Sequence, residues 1–438
     1  MKILNRKLFI LGFLLLAGSC TIEEQINPNN PAISPNPTKA DLNNLIVGAQ
    51  ANMRVNYSIY VTALGTIARE LYLFDADPRN TTDLIGTEGS LDNNSFYTTA
   101  SWNDRYQTIK NCNLILEGTP NAVLSDEQKK GYIGFAKTLM AHQFLLLINN
   151  QNDNGIRLDV ADPLNLGPIE GKAAVFAKIA TLLDEGYTEL NGAEFAFPLT
   201  TGFAGFDTPA TFREFNRALA ARVALYRGLY SDALTYLGDS FYDPAGDLNI
   251  GPKMVFTTGG QDILNNLFKT PQQSGDQIIV NNHFILDAES GDTRVTKKTA
   301  LRDNPTAKSG LNGTHETRLY SSSSSPIDII RNEELILINA ECQIQLDQLA
   351  AGVTSLDIIR TAAGLNTLAV AKPTIINDKA LLIDEMLNQR RYSFWSEGQR
   401  AIDLRRYNRL NDTYVTIDPV AGATQIIFTE FPIPSTEN

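Results

Sequence analysis

The sequence predicts a mainly α-helical protein: a tetratricopeptide-like helical-repeat scaffold interrupted by an irregular insertion of loops and short strands. Three observations lead there. Apolar residues recur at spacings of three and four between 41 and 237, and again between 327 and 396. Within the segment Arg222–Leu237, Gly228, Tyr230 and Ala233 fall in a G-x-Y-x-x-A spacing behind Ala221 and Ala224. Small residues there let two helices approach closely while the tyrosine fills the gap. Between Gly238 and Ser325 the helical period fades into Gly, Asp, Asn and Ser, ending in the polyserine Ser321–Ser325. Of 438 residues 43% are hydrophobic, with 20 Phe and 15 Tyr, so the chain can bury a core and global disorder is excluded.

The elements follow in order. Lys2, Arg6 and Lys7 precede the apolar run Leu8–Leu16. As a helix that run rises only ~14 Å, short of a ~30 Å hydrocarbon core, so residues 1–19 read as a signal peptide. Leu16-Ala17-Gly18-Ser19-Cys20 resembles the lipobox of bacterial lipoproteins, which makes Cys20 the expected lipid attachment site. Ordinary cleavage after Ser19 is the alternative, and either route exports the protein. Loss of residues 1–19 removes three cations and takes the net charge from −12 to −15. Residues 20–40 are Pro/Asn-rich and read as a lipidated, extended tether. The acidic pair Glu23-Glu24 resembles the surface-export signal of Bacteroidetes lipoproteins.

Residues 41–438 form one expected domain, helical over 41–237 and 327–410, with the irregular insertion at 238–326 and a strand-containing tail at 411–438. Helices are expected at Asp41–Asn56, Ile59–Leu71, Ser101–Glu117, Asp126–Asn149, Lys172–Leu190, Thr211–Leu229 and Ser231–Leu237. Ser125 and Gln128 form a capping-box pattern ahead of the longest. After the insertion, whose apolar runs are Gln277–Val280 and Phe284–Leu286, helices resume at Ile327–Leu349, Thr354–Ala363 and Ile376–Ser396. Tyr414–Ile417 and Gln425–Phe431 read as short strands. The nearest approach to a membrane span is Leu139–Ile148, which is too short.

Composition narrows the chemistry. A net charge of −12 disfavours phosphate backbones, so nucleic acid is not an expected partner. Three histidines and three cysteines leave little for a metal site, and no cofactor is expected. Gly238-Asp239-Ser240 lacks the Asp-x-x-His a serine hydrolase of that type needs. Gly167–Lys172 is one residue short of a P-loop. Asp243, Asp247 and Asn249 lack EF-hand spacing and read as a polar turn. The protein is expected not to be an enzyme.

The last helix carries an anomaly. Ile383, Leu387, Arg390 and Phe394 share one apolar stripe, and a guanidinium there requires a carboxylate. Glu397, Arg400 and Asp403 follow at spacings of three, with Arg405 and Arg406 beyond, and Gly398 reads as a helix stop. An anion site and a buried ion-pair network are both readings of this set; the second is favoured, with Arg390, Glu397, Arg400 and Asp403 as its members.

The run Gln389-Arg390-Arg391-x-x-Phe394-x-x-Glu397-Gly398-x-Arg400-x-x-Asp403-Leu404-x-Arg406 resembles the C-terminal signature of SusD/RagB nutrient-uptake lipoproteins. Gln389 and Ser393 depart from it, where the family usually has acids. Trp102, Tyr106, Ile109 and Asn113 resemble the family's W-x(3)-Y-x(2)-I-x(3)-N helix. Arg331-x-x-Glu334-Leu335 through Ala340-Glu341, Ile359-Arg360-x-x-Ala363-Gly364-Leu365 and the ending Phe431-Pro432-Ile433-Pro434-x-x-Glu437-Asn438 resemble further landmarks, in the family's order. The resemblance implies a SusD-like scaffold on the outer membrane, lipid-anchored and facing the exterior. It implies capture of oligosaccharide, or in some branches peptide, for a SusC-like TonB-dependent transporter barrel. An exported adaptor that binds only protein is the rival reading.

Ligand is expected on the loop Tyr72–Ala100. Phe96 and Tyr97 would stack on sugar rings, while Asp75, Arg79 and Asn80 would hydrogen-bond hydroxyls; Tyr320 is a second-loop candidate. Phe96 and Tyr97 pinning the loop to the scaffold is the competing expectation. Trp102 is assigned to the helix core.

Overall fold

Thr38 starts the first helix. Its hydroxyl accepts from the Asp41 N–H (3.2 Å) while the Asp41 carboxylate accepts from the Thr38 N–H (2.9 Å), so two orphan donors are satisfied at once. Helix α1 (Lys39–Asn52) therefore begins inside the expected tether. The computed structural model describes residues 34–437 apart from Gln261. The expected signal peptide, Cys20, most of the tether and Asn438 lie outside the described residues.

Helix α2 (Tyr57–Ile67) leads into strand β1 (Leu71–Phe74), followed by α3 (Phe96–Gly118) and α4 (Asp126–Gln151). The Ser125–Gln128 capping box forms as the sequence indicates, with Ser125 Oγ accepting from the Gln128 N–H at 3.2 Å. By length and composition α4 could cross a membrane, contrary to the sequence reading. It is the central core helix instead: almost every residue from Gly131 to Gln151 is buried. His142 and Gln143 are tolerated there because they bond each other (3.0 Å), and burial pushes the His142 imidazole down to about 3, so it is neutral.

The short pair β2 (Ile156–Arg157) and β3 (Ile169–Glu170) precedes α5 (Lys172–Glu189), α6 (Pro209–Tyr226) and α7 (Tyr230–Gly238). Consecutive helices from α3 to α7 pack on one another. Gly228, at φ +72°, makes the tight turn between α6 and α7, a backbone conformation that side chains resist. Ala221, Ala224 and Ala233 are buried where those two helices meet.

The insertion is more ordered than its composition suggests. Strand β4 (Lys253–Met254) is followed by β5 (Gln277–Val280), helices α8 (Asn282–Leu286) and α9 (Thr293–Lys298), then β6 (Thr299–Lys308) and β7 (Leu311–Thr317). Strands β1, β5, β7 and β6 form one antiparallel sheet in that order, with Leu71 opposite Val280 and Ile279 opposite Glu316. Ser309 and Gly310, both at positive φ, close the β6–β7 hairpin. The segment 284–286 is helical rather than extended, because Asn281 caps it by accepting from the His283 N–H at 2.8 Å.

Strand β8 (Ile327–Asp328) pairs with β4, so the helix expected from Ile327 starts later. It is α10 (Asn332–Gln345), followed by α11 (Leu349–Ala362), α12 (Leu368–Ala371), α13 (Lys379–Ser393) and α14 (Arg400–Arg406). The tail expected to hold strands has none among the described residues: 414–417 and 425–431 are turns and coil. Its backbone pairs singly with other elements, such as Ile426 N–H to Ile85 O (3.0 Å) and Phe431 N–H to Asn150 O (3.1 Å). A ladder never forms because each contact is to a different element.

Candidate functional site

Helix α3 begins at Phe96 rather than Ser101, so the loop expected to bind ligand spans 75–95 and both aromatics sit in the helix's first turn. Tyr97 is wholly buried. Its hydroxyl donates to Asp83 Oδ2 (3.0 Å) and accepts from the Asp92 N–H (2.9 Å), and its ring centroid lies 6.2 Å from that of Phe431. Tyr97 therefore pins the loop and offers no face to a sugar, which corrects its assignment as a stacking residue. Asn80 is also buried, with Nδ2 donating to Asp75 Oδ2 at 2.7 Å, so these two are committed to each other. Arg79 stays exposed, paired with Asp77 (2.6 Å), and its guanidinium lies 5.0 Å from the centroid of half-buried Phe96. Of the predicted set Arg79 is exposed, Phe96, Asp75 and Tyr320 are half-buried, and Asn80 and Tyr97 are buried.

Tyr320 lies elsewhere. It lines a small internal cavity of about 30 Å³ with Tyr57, Tyr60 and Glu397, room for about one water. Burial holds its hydroxyl well above the usual tyrosine value. It sits half-buried in the loop between β7 and the polyserine.

A wide opening among the described residues begins about two turns along α3 from Phe96. It is a groove of about 1080 Å³ between α3 and the segment 160–166. Asn103, Gln107 and Asn113 present planar amides from the helix, while Val160, Pro163 and Leu166 make the opposite apolar wall. Tyr106 stands between them with a fixed orientation: its hydroxyl donates to Arg157 O (2.8 Å) and accepts from the Arg157 N–H (2.9 Å). Trp102 packs behind it at 5.0 Å between centroids and is 1% exposed, in keeping with a core role. Trp102 Nε1 donates to Glu437 Oε1 (3.0 Å) and Arg157 pairs with Glu437 (2.7 Å), so the chain's last described residue closes one end. A tyrosine held in a fixed orientation, planar amides and an apolar wall are the elements that grip a hydroxylated ring. Sequence reasoning missed Asn103, Gln107 and the 160–166 wall. The polar positions 103, 107, 110 and 117, one face of a helix otherwise buried, were the available signal.

Ion-paired residues of the signature are buried or half-buried and form two clusters. Arg390 is 1% exposed, and its Nε donates to Asp403 Oδ2 at 2.7 Å. Arg406 spans Asp403 Oδ1 (2.8 Å) and Glu341 (2.5 Å). Burial alone would raise the Asp403 carboxyl, but Arg390 and Arg406 outweigh it and hold it below the usual range. Glu397 belongs to the second cluster, 2.5 Å from Arg331 and 3.5 Å from Lys298, and is not Arg390's partner. Arg400 forms no ion pair among the described residues; it donates weakly to Leu387 O (3.4 Å). Burial, then the like charge of Arg391, pushes it down to about 10. Helix α13 stops at Ser393, five residues before Gly398, whose φ of +74° serves the turn into α14 instead.

Among the described residues no group of three or more His, Cys, Asp or Glu is placed to hold a metal ion. Asp247 is a polar turn, its carboxylate accepting from the Asn249 N–H at 2.9 Å. Cys112 and Cys342 are buried free thiols.

Residues 273–430 match the model of the SusD family. The fold extends the likeness to the whole chain. A SusD superfamily protein from Bacteroides vulgatus aligns at TM-score 0.67 and 16% identity, covering 91% of this chain and 96% of that one. Surface glycan-binding protein A from Bacteroides thetaiotaomicron aligns at 0.68 and 14%, covering 92% and 97%. The same protein in complex with laminarihexaose aligns at 0.69 and 15%, covering 91% and 97%. No curated protein matches the chain in sequence. The architecture is SusD-type: a helical-repeat scaffold with short strands.

Proposed function

We propose that this SusD-type protein is a non-catalytic cell-surface lipoprotein that captures oligosaccharide in the α3 groove and passes it to a TonB-dependent outer-membrane transporter. The groove carries the reading: an open trough of about 1080 Å³ suits an extended chain of rings better than a compact metabolite. A solved example of the same fold holding laminarihexaose supports glycan as the ligand class. Capture needs no acid–base pair; of the titratable groups that line the groove, Lys110, Glu117, Arg157, Asp162 and Glu437, Arg157 and Glu437 are spent on each other at 2.7 Å. Cys20, outside the described residues, supplies the anchor in this reading, and the acidic globule would hang clear of an anionic membrane surface.

Affinity electrophoresis through gels containing a panel of soluble glycans tests it. The wild-type chain should be retarded by at least one glycan, and the double variant Gln107→Ala/Asn113→Ala should migrate freely there while melting at the wild-type temperature. Retention of the double variant would move the site out of the groove. No retardation by any glycan, together with binding to a peptide library or to the barrel alone, would favour the adaptor.

A further inference from the structure

A second opening shares no lining residue with the groove and has a different character. It is a pocket of about 380 Å³ enclosed by the ends of α4 and α14, the start of α5 and the α6–α7 turn. Lys172, Arg227, Arg405 and Arg406 line it, and no Asp or Glu does. In a chain whose net charge is −12, four cations around one cavity without a lining carboxylate is a concentrated exception.

Their hydrogen bonding is incomplete. Arg405 donates through Nη1 to the Asn149 carbonyl, while its Nε and Nη2 are buried with no partner, and it forms no ion pair among the described residues. Arg406 turns both Nη atoms to Glu341 and Asp403 and leaves Nε buried and unpartnered. Arg227 is exposed and pairs with no carboxylate among the described residues. Lys172 Nζ donates to Asn152 Oδ1 (2.6 Å) and lies 3.5 Å from the solvent-facing Asp153. Arginines near helix ends often answer free helix carbonyls. That role occupies one nitrogen of Arg405 and leaves the guanidinium charge without a carboxylate partner at the pocket wall. Burial, only partly offset by Tyr60, Glu430 and Asp153, pushes the Arg405 guanidinium down to about 10.

We propose that this pocket binds a small organic oxyanion: a carboxylate or sulfate carried on a body about the size of one sugar ring. The planar forks of Arg405 and Arg227 match the geometry of such an oxyanion. The volume lies within the ~300–1,000 Å³ range of small-molecule sites, more than a bare ion needs. Phe176, Leu225, Tyr230 and Ile402 supply apolar and aromatic walls for the body.

Calorimetry on the full chain at low salt, with glucuronate, glucose 6-sulfate, glucose and sodium sulfate as probes, tests this. Glucuronate or glucose 6-sulfate should bind, and which of them binds tighter identifies the head group. Glucose should give no heat, and raising the salt should weaken the acid sugars several-fold. Arg227→Ala, at an exposed and unpaired position, should weaken binding by about tenfold. Arg405→Gln should weaken it further, with circular dichroism confirming that the variant is folded. The proposal is overturned if neither acid sugar binds, if glucose binds as well as they do, if sulfate alone binds as tightly, or if Arg227→Ala leaves the affinity unchanged.

Discussion

Removing Arg390 tests whether the signature is a structural clamp. Its Nε is 2.7 Å from Asp403, and the two side chains are 0% and 2% exposed. Breaking a buried pair from one side costs about 3–5 kcal/mol, because the remaining charge is stranded. For Arg390→Ala the lower figure applies, about 3 kcal/mol, since Asp403 still holds Arg406 at 2.8 Å. Asp403→Ala belongs at the upper end, about 5 kcal/mol, because it removes the one ion pair Arg390 makes among the described residues and leaves only Glu341 at longer range. With an unfolding entropy of ~2.1 cal/mol/K per residue over ~400 residues, or ~0.85 kcal/mol/K, the melting temperature should fall by ~4 °C and ~6 °C respectively if unfolding is two-state. The double variant should lose less than the two together, since it removes both charges. Differential scanning calorimetry of the four proteins closes the cycle, with glycan retardation measured alongside. Additive losses would refute the pairing. An unchanged melting temperature with lost ligand binding would make the cluster a site and refute the reasoning altogether.

Three further outcomes are expected. Glu70 is 3% exposed, and burial pushes its carboxyl up to about 8 despite nearby Arg400 and the Ser396 N–H. A pKa raised on folding gives stability that is whole below the unfolded value and lost as pH rises through the folded one. The wild type should therefore weaken between about pH 4.5 and 8 relative to Glu70→Gln, by an amount on the order of 4 kcal/mol at the upper end; parallel melting curves across that range would count against it. Tyr97→Phe strands Asp83 and the Asp92 N–H, so it should cost about 1–2 kcal/mol in chemical denaturation while leaving glycan retardation intact. Cys20→Ala should yield a folded protein that no longer sediments with outer membranes, and unchanged sedimentation would remove the lipid anchor from the account.

Local patterns determined much of this protein. Apolar spacing placed the helices at α1–α7, α10, α11 and α13 within a few residues, because burying one face of a helix demands that period whatever lies opposite. The Ser125–Gln128 cap is local chemistry and formed where the sequence put it. That Arg390 needed a buried carboxylate also followed from its place on an apolar stripe. Which carboxylate was a tertiary decision. Asp403 and Glu397 are both near in sequence, but the turn at Gly398 carries α14 back beside α13 and sends Glu397 towards Arg331, 66 residues away. The same holds for the ligand loop. Whether Tyr97 stacks on a sugar or pins a loop depends on Asp83, Asp92 and Phe431, contacts that hydrophobic period does not encode. The groove and the cationic pocket were the least legible. Each exists only where residues from separate elements face one another, Tyr106 with Pro163 in one case and Lys172 with Arg405 in the other. A single chain's pattern records which side chains must be covered, and only the folded arrangement decides which cavities are left between them.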